Sequence, residues 1–486
     1  MDINKNIDKN IETFNEMFSN CDDIIRREML LGNDKKVKCF VAYIEVAVDF
    51  VVGFLINKMW NMPADKIYDY IIDNGLGVSD VSELDNMTKV ESALLGGNAV
   101  LFIDGYCKGI KLSCDGYPSL GVLESESEKA VRGSKEAFSD SVKANASLLR
   151  KRIRSQKLKV KEVKLGVRSN TITYIVYMEG IAKESIISEA EKRLDEFKID
   201  GIFDTGMIEQ LLEKKWYSPF PQFQTTERPD RASMAVLEGR VLILTDNSPS
   251  ALILPVNYNN FIQTSDDYYS RWEIVSFNRI LRYIASFLAM ILPGLYLAAT
   301  NYHTQLLPTT MILSFAAART GVPFSGVVEI LLMEIAFELL REAGVRLPGT
   351  MGNTIGIVGG LIIGQAAVDA NIISPIVVII VALTALCSFA IPNEEFATAF
   401  RIIKFFLIFC GSWLGLYGMA LGVMAVMIHL SHIESFNIPY LMPFVGAESN
   451  DYNDLKDSLI RWPAKGLNKR TVVANEEQRI KLRIKK

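Results

Sequence analysis

The chain has 486 residues, room for two to four domains at roughly 100–200 residues each. Hydrophobic residues make up 49% and the formal net charge is −4, which speaks against a nucleic-acid binder, since such proteins present a basic face to the phosphates. The mean hydropathy of +0.19 averages two unlike parts: charges are frequent up to about residue 270 and sparse from Leu281 to Leu430, where they cluster in short connectors.

The opening MDINKNIDKNIETFNEMF mixes charges and lacks the basic start, apolar core and small-residue cleavage site of a signal peptide, so the polar half is expected in the cytoplasm. The six cysteines are scattered, with no CxxC and no histidine at metal-ligand spacing, and are expected to be reduced and structural. VKCFVAYIEVAVDF predicts a buried strand leading into a helix over FVVGFLINKMW. Residues 97–104 form a second apolar run that turns at Asp104-Gly105 and resumes at Cys107, the pattern of a hairpin.

Between Ala137 and Lys159, Leu148, Leu149 and Ile153 fall at helical spacing among Arg150, Lys151, Arg152, Arg154 and Lys157. Such a basic helix either meets anionic headgroups, at about 1 kcal/mol per charge, or presents a solvated face. Val160–Val167 and Thr171–Tyr177 predict two strands, and Glu184–Glu196 an amphipathic helix. Two α/β or α+β subdomains are therefore expected, over 1–135 and 136–222.

A connector follows over 223–278. Val236-Leu237-Glu238-Gly239-Arg240 predicts a helix ending at a glycine cap. Val241–Thr245 and Ala251–Leu254 predict a hairpin around Asp246, Asn247, Ser248 and Pro249. Glu227, Arg228, Asp230, Glu238 and Arg240 either form an ion-pair network or stay exposed, where pairs contribute little.

From 279 to 446 an α-helical transmembrane bundle of about four to five spans is predicted. Leu281–Thr300, Thr350–Val368, Ile372–Ile391 and Phe405–Leu430 approach or exceed the roughly 20 apolar residues a membrane helix needs. Gly356, Gly360 and Gly364, and then Gly411, Gly415, Gly418 and Gly422, recur at helical spacing and predict close backbone packing. Leu306–Ala318 is short, while Pro323–Arg346 carries Glu329, Glu334, Glu338, Arg341 and Glu342. An acidic face of this kind lies in the membrane interface or lines a water-filled passage, where acidic rings favour cations; Glu329, Glu334 and Glu338 are the candidates. The basic tail, 447–486, belongs beside the N-terminal domain by the positive-inside rule, which requires an even number of crossings from five candidate segments.

TTERPDRASMAVLEGRVLILTDNSPSALILP at 225–255, with its Glu227-Arg228-Pro229-Asp230 core, then Asp266-Asp267-Tyr268-Tyr269 and Arg271-Trp272, resembles the signature that precedes the membrane region in the GerA family of spore germination proteins. PGLYLAATNYHTQLLPTTMILSFAAARTGVPF, EILLMEIAFELLREAGVRLP, IGIVGGLIIGQAAV and IPNEEFATAFRIIKFFLIF continue the resemblance. Upstream, Glu124, Ser125, Glu128, Val131 to Glu136, Asn145 and Arg150 match a family stretch in which serine here replaces proline twice; Ser125 and Ser134 should leave that loop freer.

The resemblance implies the A subunit of a nutrient-germinant receptor in the spore inner membrane. It would self-associate, contact lipid and assemble with a transporter-like B subunit and a lipoprotein C subunit, forming a ligand-gated cation channel. The related stage-five sporulation protein AF implies an alternative: an accessory membrane scaffold that senses no nutrient. No P-loop, GxSxG elbow or HExxH cluster occurs, so neither catalysis nor a cofactor is expected. His429 and His432, three apart, are more consistent with an interfacial role than with a metal site.

Overall fold

The computed structural model describes residues 2–33, 36–46, 62–74, 80–113, 132–346, 351–445 and 454–482, with Tyr117, Ser125 and Glu128. The helix expected over FVVGFLINKMW lies outside these residues.

Strict alternation builds the first lobe. It holds α1 (Ile7–Met17), β1 (Ile24–Leu31), β2 (Val37–Ile44), α2 (Ile67–Asn74), β3 (Val81–Leu84), α3 (Met87–Leu95), β4 (Ala99–Ile103) and β5 (Gly109–Leu112). The strands form an antiparallel sheet in the order β1-β2-β4-β5-β3. Phe40, Ala42, Val100 and Phe102 face α1 and α3, while Cys39, Val41, Leu101 and Ile103 face α2. Period-two side chains with both faces apolar require a layer on each side, and the helices supply them.

The second lobe repeats the plan with α4 (Val142–Arg152), β6 (Leu158–Leu165), β7 (Thr171–Met178), α5 (Glu184–Asp195), α6 (Thr205–Leu212), β8 (Gln224–Thr226), α7 (Pro229–Leu237), β9 (Val241–Thr245) and β10 (Ala251–Leu254). Its antiparallel order is β6-β7-β9-β10-β8. Ile186, Ile187 and Ile208 cover Ile175, Ile243 and Leu252 on one face; Val142, Leu149 and Val236 cover Val176, Leu242 and Leu244 on the other. The expected boundary at 223 is corrected here: the hairpin of β9 and β10 is the middle of this sheet, so 223–254 belongs to the second lobe and is no separate connector.

The two lobes meet at their edge strands. Asp22 N–H donates to Val160 O at 2.8 Å, and Val160 N–H donates to Asn20 O at 3.0 Å, so the segment entering β1 covers the open edge of β6. Neither reading of the basic helix holds for its central residue. Arg150 is fully buried against Asp23, while Lys151 and Arg152 pair with Glu136.

After α8 (Tyr258–Ile262) and α9 (Asp266–Tyr269) come six helices: α10 (Trp272–Asn301), α11 (Thr309–Ala318), α12 (Gly326–Arg346), α13 (Met351–Asp369), α14 (Pro375–Phe389) and α15 (Glu394–Ser431). By length and composition α10 and α15 could cross a membrane, and α11 and α14 are shorter apolar helices.

The last helix is not the single long span that Phe405–Leu430 predicts. Gly415 has φ 61° and ψ −142°, a region essentially closed to residues with a Cβ, and the chain folds back there. A Cβ on Gly418 would strike Cys410 O, and one on Gly422 would lie 2.7 Å from Leu407 Cδ2, so the two legs press on each other. Both ends return to Phe220, whose ring lies 5.9 Å from Phe396 and 6.2 Å from His429. Tyr302 Oη donates to Ser412 O and Trp413 O at 2.8 and 3.0 Å, satisfying carbonyls that the fold-back frees.

The runs of the bundle alternate in direction. α10 leaves the lobes and ends beside the Gly415 tip; α12 returns from Glu329, near the tip beside Ser374, to Arg341 beside Ser388. α13 runs back up along it, with Gly360 opposite Phe337 and Gly364 opposite Val378, and α14 descends again. With the two legs of α15 this makes six alternating helical runs. The legs 394–414 and 416–431 measure roughly 31 and 24 Å at about 1.5 Å per residue.

Candidate functional site

The signature residues form one buried knot. Pro229 opens α7 at a position where its missing N–H costs nothing. Arg228, 4% exposed, forks onto Asp230 with bonds of 3.1 and 2.7 Å and donates to Ser134 O at 2.9 Å. Asp230 also accepts from Tyr269 Oη at 2.8 Å. Burial alone would raise the Asp230 carboxyl, but the hydrogen bonds from Arg228 and Tyr269 hold it below the ordinary carboxylate range. The Tyr269 ring lies flat against Gly133, where a Cβ would fall 2.6 Å from Cε2. Glu227 accepts from Ser125 Oγ at 2.6 Å, and Ser134 Oγ accepts from Arg152 at 3.0 Å. The serines in the proline positions are thus tied by their side chains, which corrects the expectation of freedom there.

The other end of α7 holds the tail. Gly239 has φ +96°, as the capping pattern predicts, and packs on Ala474, 2.8 Å from where its Cβ would lie. Glu238 accepts from Thr471 N–H at 3.1 Å and pairs with Lys481. Val472 and Val473 enter the core of the second lobe. The tail, expected as a separate basic segment, is over 454–482 an integral part of that lobe.

α10 is clamped at its root by the same tail. Arg279, fully buried, donates to Asp267 at 2.9 Å and to Asp457 at 2.7 Å. Arg282 bonds both oxygens of Asp267. Tyr268 stands with its ring 5.8 Å from the Arg279 guanidinium and 5.4 Å from that of Arg461. Arg279 and Arg282 stand at the start of the apolar run in the sequence, whereas Asp457, far along the chain, carried no signal that it would meet Arg279.

Beside this clamp is a cavity of about 580 Å³ between α7, the α8–α9 turn and the tail, with Arg231, Glu238, Arg240, Tyr268, Asp454 and Arg470 among its walls. Arg240, expected in an ion-pair network, has no carboxylate partner among the described residues; its Nη1 donates to Pro255 O at 2.5 Å. Burial holds its guanidinium below the ordinary value.

Within the bundle the three acidic candidates are paired. Glu329, fully buried, accepts from Ser374 N–H at 2.8 Å and lies 3.3 Å from Arg319. Glu334, 2% exposed, meets Lys404 at 2.5 Å. Glu338 lies 3.6 Å from Lys404 and 3.2 Å from Arg401. Arg341 stacks over Phe389, 4.7 Å from the ring centre. The face is therefore a ladder against α15 and its neighbours, rather than a free stripe at an interface. Arg401 and Lys404, three apart in an apolar run, were the available signal, since both fall on one helical face, as Glu334 and Glu338, four apart, do on theirs. A cavity of about 20 Å³, room for one water, abuts Glu334 and Lys404.

The glycines divide by role. Gly411 packs on Gly294 of α10, Gly418 and Gly422 let the two legs of α15 touch, and Gly415 makes the bend. Gly360 and Gly364 seat α13 on α12 and α14; Gly356 lies in α13 among residues whose packing is not described. Among the described residues no group of three or more His, Cys, Asp or Glu could hold a metal. The five described cysteines are free, and Cys114 lies outside the described residues.

A two-lobed α/β unit fastened by buried ion pairs to a bundle of apolar helices defines the class of protein. The chain belongs to the family described as Bacillus/Clostridium GerA spore germination protein, whose profile matches residues 12–473. It is 37% identical to spore germination protein KA of Bacillus subtilis (strain 168), covering 99% of this chain and 88% of that one. Spore germination protein A1 of the same organism is 38% identical, over 94% of this chain and 93% of its own length. An uncharacterized membrane protein of that organism, YfkQ, is 39% identical over 95% and 90%. Among solved structures, the N-terminal domain of the A subunit of the Bacillus megaterium spore germinant receptor GerK3 is 27% identical, with a TM-score of 0.40, covering 52% of this chain and 96% of that one.

Proposed function

We propose that the chain is the A subunit of a nutrient-germinant receptor: its bundle spans the spore inner membrane, and its lobes and tail share the cytoplasmic side. It self-associates, assembles with a transporter-like B subunit and a lipoprotein C subunit, and conducts cations when a partner senses nutrient. It catalyses no reaction and needs no cofactor. The observation that carries the reading is family membership over nearly the whole chain. Six alternating helical runs support placing the lobes and the tail on one side, and the name of the related membrane protein supports a membrane location.

One observation favours the accessory reading of the sporulation AF type. Glu329, Glu334 and Glu338 are neutralised by cations of the same chain, as expected of a structural scaffold. Cation release from nutrient-challenged spores distinguishes the two. Spores whose only copy carries E334Q with K404M, which keeps the site neutral, should release cations at an altered rate if this ladder borders the conducting path. Unchanged release at normal protein level sinks the conducting role of that face. Unchanged germination after deletion of the chain, with no other receptor present, sinks the receptor reading.

A further inference from the structure

Arg240 is 5% exposed. A guanidinium taken out of water costs several kcal/mol unless a counter-charge meets it, and buried arginines are accordingly paired. Four of the other buried arginines obey the rule: Arg150 meets Asp23, Arg193 meets Glu189, Arg228 meets Asp230, and Arg279 meets Asp267 and Asp457. Arg461 bonds the carbonyls of Ser270 and Tyr268 instead. Arg240 also lacks a carboxylate partner among the described residues and, unlike Arg461, borders a cavity. Its one hydrogen bond goes to a neutral carbonyl, and among the described residues no carboxylate lies within ion-pair distance.

Arg470, in the tail, borders the same cavity and spends its bonds on the carbonyls of Leu237, Gln478 and Ile480. Two guanidinium groups thus border one space with no carboxylate among the described residues within ion-pair distance of either, although Glu238, Asp454 and Asp457 stand elsewhere on its walls. At about 580 Å³ that space falls within the usual range for small-molecule sites.

We propose that this cavity binds a small ligand bearing a phosphate or carboxylate group, with Arg240 as the buried anchor and Arg470 as the second cation. Guanidinium forks suit both anions, because parallel N–H donors match their paired oxygens. The walls come from α7, from the turn before α10 and from the tail, so an occupant holds all three together at the root of the bundle. The inference rests on this geometry, not on the receptor reading, and stands whether the chain conducts or scaffolds. The anionic group can come from a soluble molecule or from a lipid headgroup.

The test uses the full chain purified in neutral detergent, with proteolysis of the tail as the readout. Inorganic phosphate and acetate are each compared with chloride at equal ionic strength. A soluble ligand at about ten times its dissociation constant should slow cleavage about tenfold, since only the closed form binds it. The chain in phosphatidylcholine nanodiscs, with and without phosphatidylglycerol, supplies the second arm; protection there alone assigns the site to a lipid headgroup. R240Q should abolish either protection, and R470Q, at a more peripheral position, should weaken it should R240Q fail to fold. Absence of protection in both arms, or equal protection in parent and R470Q chains, overturns the proposal.

Discussion

Arg150 of the second lobe grips Asp23 of the first through two hydrogen bonds of 2.7 and 2.9 Å, with both side chains buried. This pair lies where the segment entering β1 covers β6, so it reports on the union of the lobes. D23A leaves a buried cation without a partner and should destabilise the chain by about 3–5 kcal/mol, whereas D23L with R150M should recover most of that loss. Thermal unfolding in detergent measures both. An unfolding temperature for D23A equal to the parent's would mean that the pair does not hold the lobes.

Gly239 is required twice, by its positive φ and by its approach to Ala474. G239A should cost about 1–3 kcal/mol and free the tail first. Faster protease cleavage after residue 460, with the lobes still intact, is the expected result; uniform digestion would argue for a different weak point.

Inside the bundle, K404M strands Glu334 and should lower stability by about 3–5 kcal/mol, while K404M with E334Q should come within about 1 kcal/mol of the parent. Glu338, which also has Arg401, should feel the loss of Lys404 less. The double-mutant cycle, measured by thermal unfolding, decides it; additive effects would show that the two side chains do not interact.

G415A should prevent the fold-back, since alanine at φ 61° and ψ −142° is strained and its methyl would meet His303 and Tyr302. Disulfide trapping reads this directly: a cysteine pair at 407 and 422 should cross-link in the parent background and fail to do so in G415A.

Asp454 supplies a pH dependence. Burial pushes its carboxyl up to about 6, opposed by the hydrogen bond from Val472 N–H, against an ordinary value of 3.8. The folded tail keeps a proton that the unfolded chain releases, so the contribution is full below pH ~4, falls as pH rises to ~6 and is level above. The change is about 3 kcal/mol at most. Protease protection of the tail should decline over that window, and D454N should flatten the profile; a decline that persists in D454N would assign it to another group.

Local patterns carried much of the fold. The alternation in Val160–Val167 and Thr171–Tyr177, the glycine after Glu238 and the turn at Asp104-Gly105 each specify a local geometry, and β6, β7, the α7 cap and the first-lobe hairpin follow them. What is set by distant partners was not legible. Arg150 and the serines at 125 and 134 look solvated or loose in sequence because Asp23, Glu227 and Arg152 lie far away along the chain. The 405–430 run looks like one span because hydropathy does not register a single φ. Glu334 and Glu338 look free because their cations sit 63 to 70 residues later on α15.

The bend at Gly415 bears on how the bundle is made. Leg 394–414 carries Arg401 and Lys404 and cannot rest in hydrocarbon unless Glu334 and Glu338 are already in place to receive them. The second leg brings no charge of its own below His429. On the proposed membrane reading, the two legs would enter a bilayer together as one folded pin after α12, because the chain presents the acids of α12 before the bases of α15.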